Sequence, residues 1–77
     1  MYDATQLRRF QLVRNHDVTG VSGTGIVVLG VQFPSGKVII QWQGDYPSLV
    51  IWDSIEDAMV VHGHDGATQL VWIDQPF

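Results

Sequence analysis

Two β-branched segments on either side of a Pro-Ser-Gly turn constrain the fold of this chain most strongly. Residues 26–33 and 37–43 are joined by Pro34-Ser35-Gly36. Proline pre-sets φ for such a turn, and glycine tolerates the left-handed conformation that the turn requires. Apolar and polar residues alternate in the second segment, which is typical of a strand with one buried side. The pattern predicts a β-hairpin.

Three further strands and a helix are predicted around this hairpin. Strands are expected at about 9–16, 48–52 and 68–74, each bounded by turn residues. The segment 17–25 contains three glycines among small hydroxylated residues and reads as a long loop. Residues 54–63 change to a helical period before the last strand.

The helix has recognisable ends. Ser54 followed three residues later by Asp57 resembles a capping box, and Gly63 suits the C-terminal stop. Its apolar residues share one helical face (Ile55, Ala58 and Met59).

The order of strand, long loop, three strands, short helix and strand predicts a mainly β fold. With 77 residues and no cysteine, the chain has room for one domain, residues 1–77, without disulfide support. A small five-stranded SH3-like barrel with one short helix before the last strand fits best. An OB barrel expects its helix between strands three and four. The expected core is Phe10, Leu12, Val38, Ile40, Trp42 and Leu70.

Composition excludes several classes of protein. The chain is 45% hydrophobic and 16% charged, too apolar for intrinsic disorder. It has no apolar run of membrane-helix length and no signal-peptide pattern, so a cytoplasmic protein without membrane contact is expected, with residues 1–6 frayed. A net charge of −4 and a single lysine argue against binding a nucleic-acid polymer.

The spaced segments VTGVSGTGIV, FPSGKVIIQW, IWDSIED and VHGHDGATQLVWID carry a resemblance. Together they resemble small single-domain proteins of actinobacteria and their phages, over about residues 10–74. The resemblance implies a compact protein of cytoplasmic or phage origin. Small phage proteins of this size often bind and block a host component or a signalling molecule, so the resemblance implies binding rather than catalysis.

The glycine-rich loop and the nearby arginine are candidates for binding an anion. Consecutive backbone N–H groups at glycines can form a concave nest, and hydroxyl side chains add donors. The segment lacks the lysine of a Walker A loop. The other interpretation is that its glycines serve backbone geometry alone. The candidate ligand-binding residues here are Arg14, Thr19, Gly20, Ser22, Gly23, Thr24 and Gly25, with Arg8 and Arg9 as further cations.

Two histidines near the helix end are further candidates. His62 and His64 could donate to a phosphate or a base, or simply cap the helix C-terminus. With His16 they could also bind zinc, and Asp65 could orient a ligand. Without cysteine this spacing is weakly specific, so no metal and no other cofactor is predicted.

The last two strands are apolar on both faces. The runs 49–52 and 70–73 exceed what so small a monomer can bury, so a homo-oligomer is expected. An outward tryptophan beside Tyr46 would instead offer a stacking platform. The candidate interface residues are Trp52, Trp72, Ile51 and Val71.

These features favour a non-catalytic binding protein that sequesters a small anionic ligand, such as a nucleotide-derived signal. The alternative is a protein–protein interaction module that docks a host protein through an exposed aromatic strand face. Ser22, His62 and Asp65 have the residue types of a catalytic triad, but residue types alone do not establish one, so no enzyme is predicted.

Overall fold

The computed structural model describes residues 6–15, 24–63 and 66–77. Five strands and one helix lie in these ranges. In chain order they are β1 (Arg8–Arg14), β2 (Gly25–Gln32), β3 (Val38–Trp42), β4 (Leu49–Trp52), α1 (Ile55–His62) and β5 (Thr68–Trp72).

The strands form one antiparallel sheet in the order β4-β3-β2-β1-β5. The predicted hairpin of β2 and β3 is confirmed, with Gly36 N–H donating to Phe33 O and Gly36 at a φ of 97°. The last strand returns to pair with β1, so both chain ends of the described structure meet at one side of the sheet. A mainly β protein with one short helix before its last strand is therefore confirmed.

One side of the sheet, the inner face, carries the core. Phe10, Leu12, Val38 and Ile40 are fully buried there, as the alternation predicted. Trp42 and Leu70 are only partly buried against this cluster. The helix covers part of the inner face. Other members of the buried cluster are Val27, Val28, Ile55 and Ala58.

A glycine inside a strand, such as Gly30 in residues 26–33, predicts a bend or bulge, but Gly30 has a different role. It lies opposite Phe10 in regular register, and a Cβ there would lie 2.3 Å from the ring's Cζ. The bulge is at Val27, the extra residue between the pairs Leu12–Val28 and Val13–Ile26. A bulge turns two consecutive side chains to similar surroundings, and Val27 and Val28 are accordingly both buried. Position 30 has no room for a side chain, because the Phe10 ring packs against the Gly30 backbone.

The helix begins as expected and ends differently. Ser54 Oγ accepts the N–H of Asp57 at 3.1 Å, which confirms the cap. Gly63 donates its N–H to Met59 O with a φ of −72°, so it ends the helix without a left-handed conformation. The negative first turn (Glu56 and Asp57) suits the positive end of the helix dipole.

The strands at the two sides of the sheet are β4 and β5. Within the described residues no ladder joins them, so closure of the sheet into a barrel is not shown and the SH3-like architecture stays a prediction. No helix among the described residues is long and apolar enough to cross a membrane.

Candidate functional site

A buried arginine lies on the inner face at the end of β1. Arg14 is 2% exposed, although arginine is almost never buried without an ionic partner. The strand period explains its direction: Phe10, Leu12 and Arg14 alternate along β1, so the third side chain points inward with the first two. The predicted glycine-rich loop, residues 17–25, follows shortly after Arg14 in the sequence.

The Arg14 guanidinium has two neighbours among the described residues. Its Nε donates to Thr68 Oγ1 at 2.9 Å, across the pair that joins β1 to β5. Its central carbon lies 5.7 Å from the Trp42 ring centroid, within cation–π range. No described carboxylate forms an ion pair with it. The site therefore contains a permanent positive charge, out of water, whose two neighbours among the described residues are uncharged.

Aromatic rings extend the site from Trp42 toward the helix end. The Trp42 and His62 ring centroids are 5.0 Å apart, and those of His62 and Trp52 are 5.6 Å apart, both edge-to-face. All three rings are partly buried. Edge-to-face contacts fix the ring planes relative to each other, so the wall beside Arg14 is ordered by packing.

The helix C-terminus contributes backbone at this end of the sheet. Gly63 O accepts two N–H groups, from Gly66 at 3.1 Å and from Thr68 at 3.0 Å. The adjacent carbonyl of Met59 accepts the Gly63 N–H. Both carbonyl oxygens, those of Gly63 and Met59, therefore already accept hydrogen bonds from main-chain N–H groups. The Gly63 carbonyl also holds Thr68 in place to accept from Arg14.

The structure places the candidate ligand-binding residues as follows. Arg14, Gly25 and His62 belong to the same end of the sheet, because Arg14 pairs with Gly25 and its neighbour Trp42 contacts His62. Gly25 has a φ of 84°, and Thr24 beside it is exposed. The remaining candidates lie outside the described residues (Thr19, Gly20, Ser22, Gly23 and His64).

Arg8 and Arg9 do not join Arg14. They begin β1, about 20 Å away at roughly 3.3 Å per residue. Arg9 forms an ion pair with Asp74 at 2.9 Å, and Arg8 lies over the Trp72 ring, 3.4 Å from its centroid. The N-terminal basic cluster suggested by sequence is therefore divided between the two ends of the strand.

Asp74 is the best-held carboxylate among the described residues. It accepts from the Arg9 main-chain N–H, Nε and Nη2 at 2.8–2.9 Å. Hydrogen bonds from the Arg9 side chain, then from its backbone, lower the pKa of Asp74 to about 2. The side-chain hydrogen bonds to Asp74, and then the negative charge of Asp74, raise the pKa of Arg9. This ion pair ties the chain after β5 to β1 and leaves neither charge for a ligand.

The four candidate interface residues are divided between two faces. Trp52 and Trp72 lie on the inner face and are half-buried, with Trp72 packed edge-to-face on Phe10. Ile51 and Val71 point to the opposite side and are 69% and 41% exposed. The two pairs therefore cannot contribute to one continuous surface.

No group of three described His, Asp or Glu side chains is close enough to hold a metal ion. His16, His64 and Asp65, which the zinc alternative needs, lie outside the described residues.

Sequence reasoning found Arg14 but not its surroundings. Thr68 and Trp42 are predicted strand residues without a site role, because Thr68 reaches Arg14 through the pairing of β5 with β1 and Trp42 through the register of β2 with β3. The burial of Arg14 did have a signal in the sequence, namely its even spacing from Phe10 and Leu12.

One comparison with known proteins bears on the identity of the chain. No curated protein and no solved structure matches it significantly. A family model described as Acb5 phage protein matches residues 7–74, which is most of the chain and supports the phage side of the resemblance. The chain belongs to the Acb5 phage protein family.

Proposed function

We propose that this protein is a non-catalytic, phage-encoded binding protein that sequesters a small anionic ligand in the host cytoplasm. The proposed ligand class is a nucleotide-derived signal, and the proposed scaffold is an SH3-like barrel. The observation that carries the proposal is the buried Arg14 guanidinium, which has no carboxylate partner among the described residues.

A buried guanidinium with no carboxylate partner in the described part of the chain is costly for the folded protein. Removing such a charge from water costs several kcal/mol, and one hydroxyl acceptor and one ring offset only part of that cost. An anion at Arg14 would complete the site, because a guanidinium binds phosphate and carboxylate through paired N–H donors. The net charge of −4 does not favour long polyanions, so a small ligand fits better than a polymer.

The rings beside Arg14 support a nucleotide over a simple anion. Trp42, His62 and Trp52 provide a wall of aromatic edges and faces next to the cation. Stacking on an aromatic side chain is tolerant of base identity and is worth about 1–3 kcal/mol per base. In this arrangement Arg14 holds a phosphate and the rings contact a base. Donors from the glycine-rich segment (Thr19 to Gly25) and from His64 are part of the same proposal.

The alternative function, docking of a host protein through an aromatic strand face, has less support. Trp52 and Trp72 are half-buried on the inner face, so neither offers its full ring to a partner. The large hydrophobic residues that are exposed on the described strands are aliphatic, with Ile51 and Val71 among them.

Ligand binding can be tested by calorimetry and thermal shift with three kinds of probe: inorganic phosphate, mononucleotides and cyclic dinucleotides. We expect a nucleotide to bind the wild-type protein and to bind Arg14→Met at least about 100-fold more weakly, since a charged hydrogen-bonding group is lost. Arg9→Met, at the other end of β1, is the matched control and should bind normally. Recovery of unchanged nucleotide after denaturation would support sequestration over turnover. If no probe binds the wild-type protein, or if Arg14→Met binds equally well, the proposal fails.

A further inference from the structure

The outer face of the sheet is the surface opposite the core and is formed by the outward side chains of all five strands. Six of its aliphatic side chains are 41–69% exposed (Ile26, Leu29, Leu49, Ile51, Val71 and Ile73). Together they form a surface of several hundred Å², at the upper end of the roughly 300–600 Å² of the largest apolar patch on an ordinary monomer. We propose that this outer face binds the outer face of a second copy of the chain, giving a two-fold symmetric dimer.

The strand register makes the outer face continuous. One row across the sheet contains Val31, Ile39 and Ile51, and the next contains Val71, Leu29 and Leu49 with glutamines between them. Side chains directly opposite each other on neighbouring strands have Cβ atoms about 5 Å apart. The first row is therefore a band of contacting aliphatic groups, and in the second row aliphatic and glutamine side chains alternate. Such a surface suits sheet-on-sheet packing at a separation of about 10 Å.

The charges around this face favour a copy of the same chain over a basic partner. The described charged side chains on or beside it already form the ion pairs Arg9–Asp74 and Lys37–Asp53. Other described acidic residues lie in a turn or on the helix (Asp45, Glu56 and Asp57). A basic partner would find no unpaired described carboxylate on the outer face itself, and two copies would not bring like charges together at its centre.

The face also contains a shallow apolar hollow. It has a volume of about 250 Å³ and lies between Leu29, Val31, Ile39 and Leu49, beside the strongly exposed Ile51. In a two-fold symmetric dimer the same patch serves both copies, so a contact of Ile51 with the partner's hollow would form twice. Burying this face on both copies would remove roughly 1,000–1,200 Å² from water, at the lower end of specific interfaces.

The proposed dimer interface does not cover the Arg14 site, because Arg14 lies on the inner face of each copy. Dimerisation and ligand binding are therefore separate proposals, and each can fail without the other.

Light scattering of the ligand-free protein over a range of concentrations tests the dimer. We expect a mass of about 17 kDa, twice the 8.6 kDa of one chain. Ile51→Lys should raise the dimer dissociation constant at least about 100-fold, since two lysines enter one interface. Val60→Lys is the matched control, because Val60 is 84% exposed on the helix and lies outside the outer face. Circular dichroism should show both variants folded.

A single cysteine gives a second measurement, since the chain has none of its own. Leu29→Cys, at the centre of the outer face, should form a disulfide-linked dimer under mild oxidation, whereas Val60→Cys should not. A monomer at all concentrations, or a dimer that Ile51→Lys leaves intact, would overturn the proposal. A monomer that forms a stable complex with a different protein through Ile51 would overturn it as well.

Discussion

Replacing Arg14 by an uncharged side chain should stabilise the folded protein. Arg14→Met combined with Thr68→Val removes the guanidinium and its hydroxyl partner while keeping most of the buried volume. The wild-type side chain loses several kcal/mol of hydration on burial. It regains about 1.5–3 kcal/mol from a charged hydrogen bond and about 1–2 kcal/mol from the ring. We therefore expect the double variant to gain about 1–2 kcal/mol.

A gain of this size is easily measured in so small a domain. One kcal/mol shifts Tm by about 4–8 °C at 60–100 residues, so the double variant should melt roughly 5–15 °C higher than the wild-type protein. Differential scanning calorimetry without ligand gives Tm, and urea titration gives the free energy of unfolding. Arg9→Met is the control, since it removes an exposed ion pair and should not raise Tm.

The outcome distinguishes two roles for Arg14. If the double variant is more stable and no longer binds nucleotide, stability has been given up for binding, as at many functional sites. If the double variant loses 2 kcal/mol or more of stability, Arg14 stabilises the ligand-free fold. That result would refute the idea that the buried charge of Arg14 needs an anion to offset it. Ligand addition should then also fail to raise the wild-type Tm.

Three further predictions concern the scaffold. Gly30→Ala should destabilise the protein by about 1–3 kcal/mol in urea titration, because its Cβ would clash with the Phe10 ring. In a Phe10→Leu variant, Gly30→Ala should lower the free energy of unfolding by much less than it does in the wild-type protein. An equal loss in both proteins would contradict the packing explanation. Asp74→Asn should destabilise at neutral pH. The pKa of Asp74 is lowered to about 2 from 3.8, so its contribution is present above pH 4 and is lost as the pH falls through about 2. Unfolding curves of wild type and variant should therefore converge in acid, and a constant difference from pH 6 to 2 would be inconsistent with this ion pair. Ser54→Ala should cost about 1 kcal/mol through loss of the helix cap, whereas Ser54→Asp should retain most of the stability.

The local elements of this protein could be predicted from its sequence because their signals are short-range. The Pro-Ser-Gly turn forces a hairpin wherever the rest of the chain lies, and Ser54 can cap its helix without tertiary contacts. The period of two along β1 likewise determines that Phe10, Leu12 and Arg14 share a face.

Side-chain surroundings required the tertiary structure. The sequence pattern predicts that some apolar strand residues are exposed. It could not show that Trp52 and Trp72 lie on the inner face while Ile51 and Val71 lie on the outer face. In a strand that is apolar on both faces, no alternation distinguishes one face from the other. The role of Gly30 was misread for a related reason, because only strand pairing brings the Phe10 ring onto it.

The candidate site illustrates the same division. Sequence alone determined that Arg14 belongs to an inward-facing period and that the chain has more apolar strand surface than one small core needs. Only the pairing of β5 with β1 brought Thr68 to Arg14, and only the register of β2 with β3 brought Trp42 to the same end. These partners are 54 and 28 positions away along the chain. Contacts over such separations depend on which strands become neighbours, and no local pattern encodes that choice.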